Sequence, residues 1–183
     1  LSKNIYHKWL NKDYITLIAV GKLRLQKNYP LLIKAFDKLL VNKNNIRLII
    51  IGDGPQKKNL IELIDDLRIK DYIDIISYVE NPYPYYKNAD CFILSSDWEG
   101  FGNVVVEALY SEAKVVVSDC PGGPKNIIKY GKYGLLFQKG NIESLVDAIR
   151  LSISDDFINL SPEKSILEKY KIENVSKSYS KLL

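Results

Sequence analysis

Short, continuous runs of apolar residues recur along the chain and are separated by more polar stretches. Each run is rich in isoleucine, valine or leucine, and the runs span Ile15–Val20, Ile46–Ile51, Tyr72–Ile76, Cys91–Leu94, Val115–Val117 and Leu135–Phe137. Runs of this length with so little polar alternation are typical of strands that are buried on both faces. The pattern therefore predicts six such strands.

Segments with a helical period lie between these runs. They cover 32–40, 60–67, 104–109 and 142–149. Pro30 and Pro55 stand near the starts of the first two, where a missing N–H costs little, and Asn141 is a candidate cap for the last. Strands and helices that alternate with short connections predict a doubly wound, Rossmann-like α/β fold, in which helices cover both sides of one parallel sheet.

The domain boundaries follow the same pattern. Residues 14–152 contain no internal repeat and no linker rich in glycine or serine, so we expect them to form one domain. Residues 1–13 are polar and are predicted to be a linker or an N-terminal extension. Beyond residue 152 the pattern weakens, and 153–183 are predicted to be a C-terminal helical segment whose helix restarts at Ser161 and Pro162.

The composition is that of a folded protein, with 183 residues of which 46% are hydrophobic and 26% charged. The net charge of +4 is too small and too dispersed for a dedicated nucleic-acid binder. Two cysteines cannot form a disulfide framework, and no apolar run is long enough to cross a membrane. A cytoplasmic protein is therefore the expectation.

Two scarce residue types narrow the chemistry. The chain contains no methionine, even at position 1, which leads us to expect a piece of a longer protein. Its one histidine, His7, lies in the predicted linker, so the predicted domain offers no histidine base. Cys91 is predicted to be a core residue and Cys120 a loop thiol, because neither has the histidine partner that nucleophilic catalysis requires.

Candidate binding residues are sought after the strands, because ligands of doubly wound sheets bind outside the carboxyl ends of the strands. After the fourth run, Gly100 and Gly102 precede a predicted helix. Close backbone approach and the helix dipole favour an anion such as a phosphate there. The alternative is a tight turn whose glycines serve only the backbone geometry.

Two glutamates flank this turn, Glu99 in the loop and Glu107 on the predicted helix. Glu107 lies roughly 8 Å along that helix at 1.5 Å per residue, so both carboxylates can reach one extended ligand. Carboxylates accept hydrogen bonds from hydroxyls, which favours a ribose and a sugar ring as partners. The alternative gives Glu107 a solvated position, although the valines around it argue against full exposure.

Three cations, Lys22, Arg24 and Lys27, lie in the loop after the first run. They can neutralise a diphosphate and stabilise it as it leaves, while the alternative is a merely solvated loop. The chain has no Asp-x-Asp pair that would hold a divalent cation against a diphosphate. We therefore expect no metal and no cofactor, with lysines and helix N–H groups supplying the positive charge.

The turn 81–86 is rich in tyrosine. Its rings could stack on a base or line an acceptor channel. Packing at the sheet edge is the preferred interpretation.

Together these loops resemble the donor-binding, C-terminal domain of GT-B glycosyltransferases, in particular the retaining enzymes of family 4, over about Ile15 to Leu151. The most specific element is the Glu-x7-Glu signature from Glu99 to Glu107. The other matching segments follow in order and are Gly21-Lys22-Leu23 with Lys27, Gly52–Pro55, and Ser118–Lys125. Lys22 stands where the family usually has arginine, and Asn126 where a glutamate often follows.

The resemblance implies a role for each matching residue. Lys22 and Lys27 would hold the diphosphate of the donor. Glu107 would bind the ribose hydroxyls, and Glu99 would contact the transferred sugar. The other implied donor contacts come mostly from the backbone. Gly21 and Gly52 are two of them, and Tyr78 and Val79 would lie beside the base. Phe101, Gly102 and Asn103 would lie beside the phosphates or the sugar.

The resemblance also implies a function, namely transfer of a sugar with retention from a nucleotide sugar, UDP-linked, to a glycan or lipid-linked acceptor in bacterial surface polysaccharide synthesis. The acceptor would bind to an N-terminal domain on which the final helix packs, and this part alone would be inactive. A pI near 8.8 is compatible with work at the cytoplasmic face of a membrane.

Two other functions stay open. One is a non-catalytic module that binds nucleotide sugars. The other is a dinucleotide oxidoreductase domain, which fits the fold but requires Gly-x-Gly-x-x-Gly after the first strand, where this chain has Gly21-Lys22-Leu23.

Overall fold

The structure is a computed structural model, and it describes residues 7–11, 13–41, 45–158, 160, 162–163 and 167. Its strands are β1 (Ile15–Val20), β2 (Ile46–Ile51), β3 (Ile73–Ile76), β4 (Cys91–Leu94), β5 (Val115–Ser118) and β6 (Leu135–Phe137). Its helices are α1 (Tyr29–Leu40), α2 (Lys57–Asp66), α3 (Tyr83–Asn88), α4 (Asn103–Tyr110), α5 (Pro124–Ile127) and α6 (Ile142–Ser152). All predicted strands are present, with ends within one residue of the predicted positions.

Two short helices, α3 and α5, were not predicted. They have 6 and 4 residues, which is too short for a periodic apolar pattern to show. Each has a proline in its first turn, where the fixed φ angle favours helix and no N–H is needed. Pro30 stands in the first turn of α1 as predicted, whereas Pro55 lies two residues before α2.

The six strands form one sheet in the order β3-β2-β1-β4-β5-β6, and every neighbouring pair is parallel. This order confirms the predicted doubly wound fold. The strands β1, β2 and β3 follow one another towards one edge of the sheet, and β4, β5 and β6 follow one another towards the other edge. The switch point lies between β1 and β4, which pair in parallel at Leu17 and Cys91. At such a switch point the loops after the two strands diverge and leave a crevice.

The side chains of alternate strand residues pack into two hydrophobic cores, one on each face of the sheet. Leu17 and Ala19 of β1 pack with α1, α2 and α6, whereas Ile18 packs with α3, α4 and α5. Period-two alternation in a strand that is buried on both sides produces this division. The sheet is therefore covered by helices on both faces, as predicted.

Part of the predicted N-terminal linker packs on the domain. Trp9 is only 5% exposed and joins the second core, and its carbonyl accepts a hydrogen bond from the Thr16 hydroxyl. The His7 ring lies 3.1 Å from the Asp74 carboxylate of β3. Residues 1–6 and 12 lie outside the described residues. The polar pattern that indicated a linker over 1–13 thus misses one large buried aromatic side chain.

Most of the predicted C-terminal helix lies outside the described residues, namely 161, 164–166 and 168–183. Leu167 is described, and it is helical and buried in the second core. Its apolar side chain therefore packs on this domain.

The predicted cap of α6 gives a testable stability effect. The Asn141 side chain accepts a hydrogen bond from the Ser144 backbone N–H at 3.0 Å, which satisfies a donor of the first helical turn. We expect Asn141→Ala to lower the free energy of unfolding by about 1 kcal/mol in urea denaturation. Asn59→Ala, at an exposed position inside α2, is the control and should cost nothing measurable. Equal losses in both variants would contradict the capping role.

Candidate functional site

A cavity of about 400 Å³ opens at the carboxyl ends of β1, β2 and β3 and is closed on one side by α4. This volume falls in the range of small-molecule sites, roughly 300–1,000 Å³. The predicted site residues that line it are Gly21, Lys22, Gly52, Tyr78, Val79 and Glu107. Residues far apart in sequence are therefore brought to one concave surface.

Glycine at position 52 lets the loops after β1 and β2 touch. A Cβ atom there would lie 2.1 Å from the Gly21 carbonyl oxygen, and Gly52 has a φ of +152°. A side chain at 52 would force the two loops apart. The contact holds the Gly21-Lys22 turn against the floor of the cavity.

Lys27 and Glu99 form an ion pair beside the cavity. The Lys27 Nζ donates to Glu99 Oε1 at 2.6 Å, and the two side chains are 15% and 8% exposed. The Lys27 side chain crosses Gly21, where an added Cβ would lie 3.0 Å from Lys27 Cε. The pair thus lies at the Gly21 end of the cavity. Sequence patterns placed both residues at one ligand but did not indicate that they bind each other.

Two serines directly after β4 hold this pair in place. The Ser96 hydroxyl donates to Glu99 Oε1 at 2.6 Å. The Ser95 hydroxyl donates to the Lys27 backbone carbonyl at 2.8 Å. Both serines are buried. Sequence reasoning missed their roles, and their position directly after a buried strand is the one signal that could have found them.

Further hydrogen bonds join the loops after β1 and β4. Gln26 Nε2 donates to the Trp98 carbonyl at 2.8 Å, and Asn28 Nδ2 donates to Asp97 Oδ1 at 3.0 Å. The Asp97 backbone N–H donates to the Gln26 carbonyl at 2.9 Å. These contacts fix the loop that carries Lys27 relative to the loop that carries Glu99.

The loop after β5 supports the Glu99 loop from the other side. A Cβ at Gly122 would lie 2.0 Å from the Glu99 carbonyl oxygen, so only glycine permits this approach. The Glu99 N–H donates to the Pro121 carbonyl at 3.0 Å, and the Gly123 N–H donates to the Gly100 carbonyl at 2.8 Å. Asn126 is exposed on α5. The paired glycines of this loop are therefore backbone supports for the candidate site.

Helix α4 starts beside the cavity. Gly102 precedes its first residue with a φ of +90°, and Val104 of its first turn lines the cavity wall. Phe101 and Asn103 flank Gly102 and are exposed. The structure thus places the positive end of the α4 dipole next to the cavity, as the turn around Gly102 indicated.

Glu107 lies on the cavity wall one turn further along α4 and is half-buried. The hydroxyl of Tyr86, a fully buried residue of α3, donates to its Oε2 atom at 3.1 Å. Burial, followed by the charge of Glu107, raises the pKa of Tyr86, so the hydroxyl stays protonated as a donor. The tyrosine turn was predicted to pack at the sheet edge. Tyr85 and Tyr86 are buried, but Tyr86 packs against Phe92 of the interior strand β4 and Tyr83 is 44% exposed. The polar contact of Tyr86 to Glu107 was missed.

Asp53 also lines the cavity and accepts two hydrogen bonds. Its Oδ2 atom accepts a hydrogen bond from the Tyr78 N–H at 2.8 Å, and its Oδ1 atom accepts one from Lys57 Nζ at 3.2 Å. The bond from Tyr78, followed by the one from Lys57, lowers the pKa of Asp53. Tyr78 is 73% exposed, and it lines the cavity wall together with Val79.

The family of the chain is shown by its match to a family model. Residues 3–173 match the model described as "Glycosyl transferases group 1". The chain belongs to this glycosyltransferase family. The resemblance drawn from Glu99, Glu107 and the glycine loops is confirmed.

Individual relatives of this glycosyltransferase chain support the assignment. It is 31% identical, over 140 residues, to the N-acetylgalactosamine-N,N'-diacetylbacillosaminyl-diphospho-undecaprenol 4-alpha-N-acetylgalactosaminyltransferase of Campylobacter jejuni, covering 76% of this chain and 38% of the relative. It is 30% identical, over 154 residues, to the capsular polysaccharide biosynthesis glycosyltransferase CapM of Staphylococcus aureus, covering 82% and 40%. The chain therefore spans less than half the length of these relatives.

A solved structure shows the same fold. A crystal structure of a Staphylococcus aureus TarM mutant in complex with fondaparinux, alpha-GlcNAc-glycerol and UDP superposes with a TM-score of 0.81 at 24% identity. The match covers 93% of this chain and 35% of TarM. The family match and the shared fold therefore agree on a glycosyltransferase domain of the GT-B type.

Two further residues that the sequence singled out lie outside the lining of the cavity. Arg24 is exposed and does not line the cavity. Cys91 is buried in β4, and burial raises the pKa of its thiol to about 12.

In the described part of the chain, no group of three or more His, Cys, Asp or Glu side chains is arranged to hold a metal ion. Within the same residues, no helix is long and apolar enough to span a bilayer.

Proposed function

We propose that the chain is the donor-binding part of a retaining glycosyltransferase that takes a sugar from a UDP-sugar and passes it to a glycan or lipid-linked acceptor in bacterial surface polysaccharide synthesis. One observation carries the proposal: a cavity of about 400 Å³ has Glu107 on its wall, and the Lys27–Glu99 pair lies beside it, next to Gly21. The family match and the UDP in the TarM complex support it.

The wall of the cavity suggests how the donor lies. The base would rest at Tyr78 and Val79, and the ribose hydroxyls would donate to Glu107. The diphosphate would lie over Gly21 beside Lys22, at the positive end of α4. The transferred sugar would then reach Glu99, because the ion pair lies at this end of the cavity.

The proposed mechanism is stabilisation of the leaving group. As the bond between the sugar carbon and the phosphate oxygen breaks, its electron pair stays on the diphosphate. Lys22 and Lys27 would meet this charge, and their attraction grows as the charge develops, which lowers the barrier. Lys27 donates to Glu99 at rest, and its ammonium has three donors, so it can turn towards the diphosphate.

We propose further that no divalent metal assists this step. Two carboxylates at or beside the cavity already accept hydrogen bonds: Asp53 from the Tyr78 N–H and Lys57, and Glu99, on Oε1, from Lys27 and Ser96. Lysine ammonium groups and helix N–H groups then carry the electrostatic role. The acceptor would bind to a further domain of the protein, on the cytoplasmic side of the membrane.

The proposal is tested by thermal unfolding of the full-length protein with UDP, UDP-glucose, UDP-galactose, the two UDP-N-acetylhexosamines and NAD. We expect UDP and at least one UDP-sugar to raise Tm, since a ligand at 100 times its Kd stabilises by about 2.7 kcal/mol. NAD should leave Tm unchanged. A shift with NAD and none with UDP would indicate a dinucleotide domain. Binding of a UDP-sugar without any hydrolysis or transfer would indicate a non-catalytic module.

A further inference from the structure

The two donors that hold Glu99 both bind the same carboxylate oxygen. Lys27 Nζ and Ser96 Oγ each lie 2.6 Å from Oε1. Among the residues that the structure describes, no hydrogen bond is made to Oε2. The carboxylate is therefore held on one side and has one oxygen available as an acceptor.

The two donors differ in how firmly they are placed. Ser96 is fully buried directly after β4, and its short side chain has one rotatable bond to the hydroxyl oxygen. Lys27 reaches Oε1 on a flexible four-carbon stem. The backbone at Glu99 is also fixed, because its N–H donates to the Pro121 carbonyl at 3.0 Å. Ser96 is thus the rigid donor of the pair.

The difference in rigidity between Ser96 and Lys27 would affect how Glu99 is held when a donor substrate binds. A diphosphate at Gly21 competes with Glu99 for the Lys27 ammonium, because Lys27 packs directly over Gly21. If Lys27 turns to the diphosphate, Glu99 keeps a single charged-group hydrogen bond, the one from Ser96. Without it, the carboxylate would be free to rotate at the moment when the sugar needs an acceptor.

We propose that Ser96 is a positioning residue for sugar recognition: it holds Oε1 of Glu99 so that Oε2 faces a hydroxyl of the transferred sugar. This inference rests on the proposed function, and it adds a residue outside the Glu-x7-Glu signature. Ser96 itself touches no substrate. It acts on the sugar part of the donor and not on the UDP part.

The test compares the Kd of UDP with the Kd of each of the four UDP-sugars named above, by calorimetry on the full-length protein. Ser96→Ala should leave the Kd of UDP within twofold of wild type. It should raise the Kd of the bound UDP-sugar about tenfold, the effect expected of one hydrogen bond to a charged group. A structural role alone would change both constants together.

Two further variants separate the hydrogen bond from packing. Ser96→Cys fills nearly the same space with a weak donor, so it should show the same loss as Ser96→Ala. Ser152→Ala removes another fully buried hydroxyl, one that donates to the Ile149 carbonyl in α6, and should change neither constant. Recovery in Ser96→Cys, or an equal loss for UDP and UDP-sugar in Ser96→Ala, would overturn the inference. If wild-type protein binds no UDP-sugar, the proposed function fails, and the inference with it.

Discussion

Lys27→Ala should lower kcat of the full-length enzyme about 10²- to 10³-fold, the loss typical when one donor to developing negative charge is removed. The ammonium lies within 2.6 Å of Glu99 and packs over Gly21, so it is already at the end of the cavity where the diphosphate would separate from the sugar. Its removal leaves Lys22, an exposed residue of the cavity wall, to meet this charge. Steady-state kinetics at saturating donor measure the effect.

Loss of Lys27 also leaves the Glu99 carboxylate without its cationic partner. The resulting loss of stability has to be separated from the loss of kcat. Glu99 is 8% exposed, and removing one partner of a buried pair is strongly destabilising. The double variant Lys27→Met with Glu99→Gln removes both charges and should restore much of the Tm while kcat stays low. Lys38→Ala is the matched control, since Lys38 pairs with Glu143 on the surface of α1 and α6. Unchanged kcat in Lys27→Ala would refute the assignment.

The fold could be predicted because its signal is local. Each strand is a continuous apolar run, and a parallel sheet brings the carboxyl ends of its strands to one edge. The loops that begin at Gly21, Gly52 and Ser95 therefore had to meet, and the first two line the cavity together with the loop after β3 and helix α4. Trp9 escaped prediction because one buried aromatic among polar residues produces no period.

The contacts inside the site could not be predicted, because they depend on side-chain directions across long separations. Lys27 and Glu99 are 72 positions apart, and Tyr86 and Glu107 are 21 apart. The motif placed Lys27 and Glu99 each against a ligand, whereas the structure pairs the two side chains with each other. A diphosphate that binds beside Gly21 would therefore have to compete with Glu99 for Lys27.

Under the proposed function, the Lys27–Glu99 pair would help the site to distinguish a nucleotide sugar from a nucleotide. A nucleotide without a sugar would bind Lys27 only by weakening the contact between Lys27 and Glu99. A nucleotide sugar can compensate, since its hydroxyls donate to the carboxylate that Lys27 leaves. Under the proposed function, the arrangement would therefore favour the complete donor over the diphosphate product.

Glu107→Gln should weaken UDP binding about 10²-fold, because the carboxylate would accept hydrogen bonds from both ribose hydroxyls and a bond to a charged group is worth about 1.5–3 kcal/mol. The amide oxygen of glutamine can still accept from the buried Tyr86 hydroxyl, which donates to Glu107 at 3.1 Å. Glutamine is therefore preferred to alanine, which would leave that hydroxyl without its acceptor. Calorimetry with UDP gives the two dissociation constants, and Glu62→Gln on the exposed face of α2 is the control.

A second ligand shows whether the loss comes from the ribose. Wild-type protein should bind 2′-deoxy-UDP more weakly than UDP, since one hydroxyl that donates to Glu107 is gone. In Glu107→Gln the same change of ligand should cost much less, because the interaction has already been removed. The difference between the two costs isolates the contact between the carboxylate and the hydroxyl from any change in stability. If both proteins discriminate equally between the two nucleotides, the ribose does not lie at Glu107.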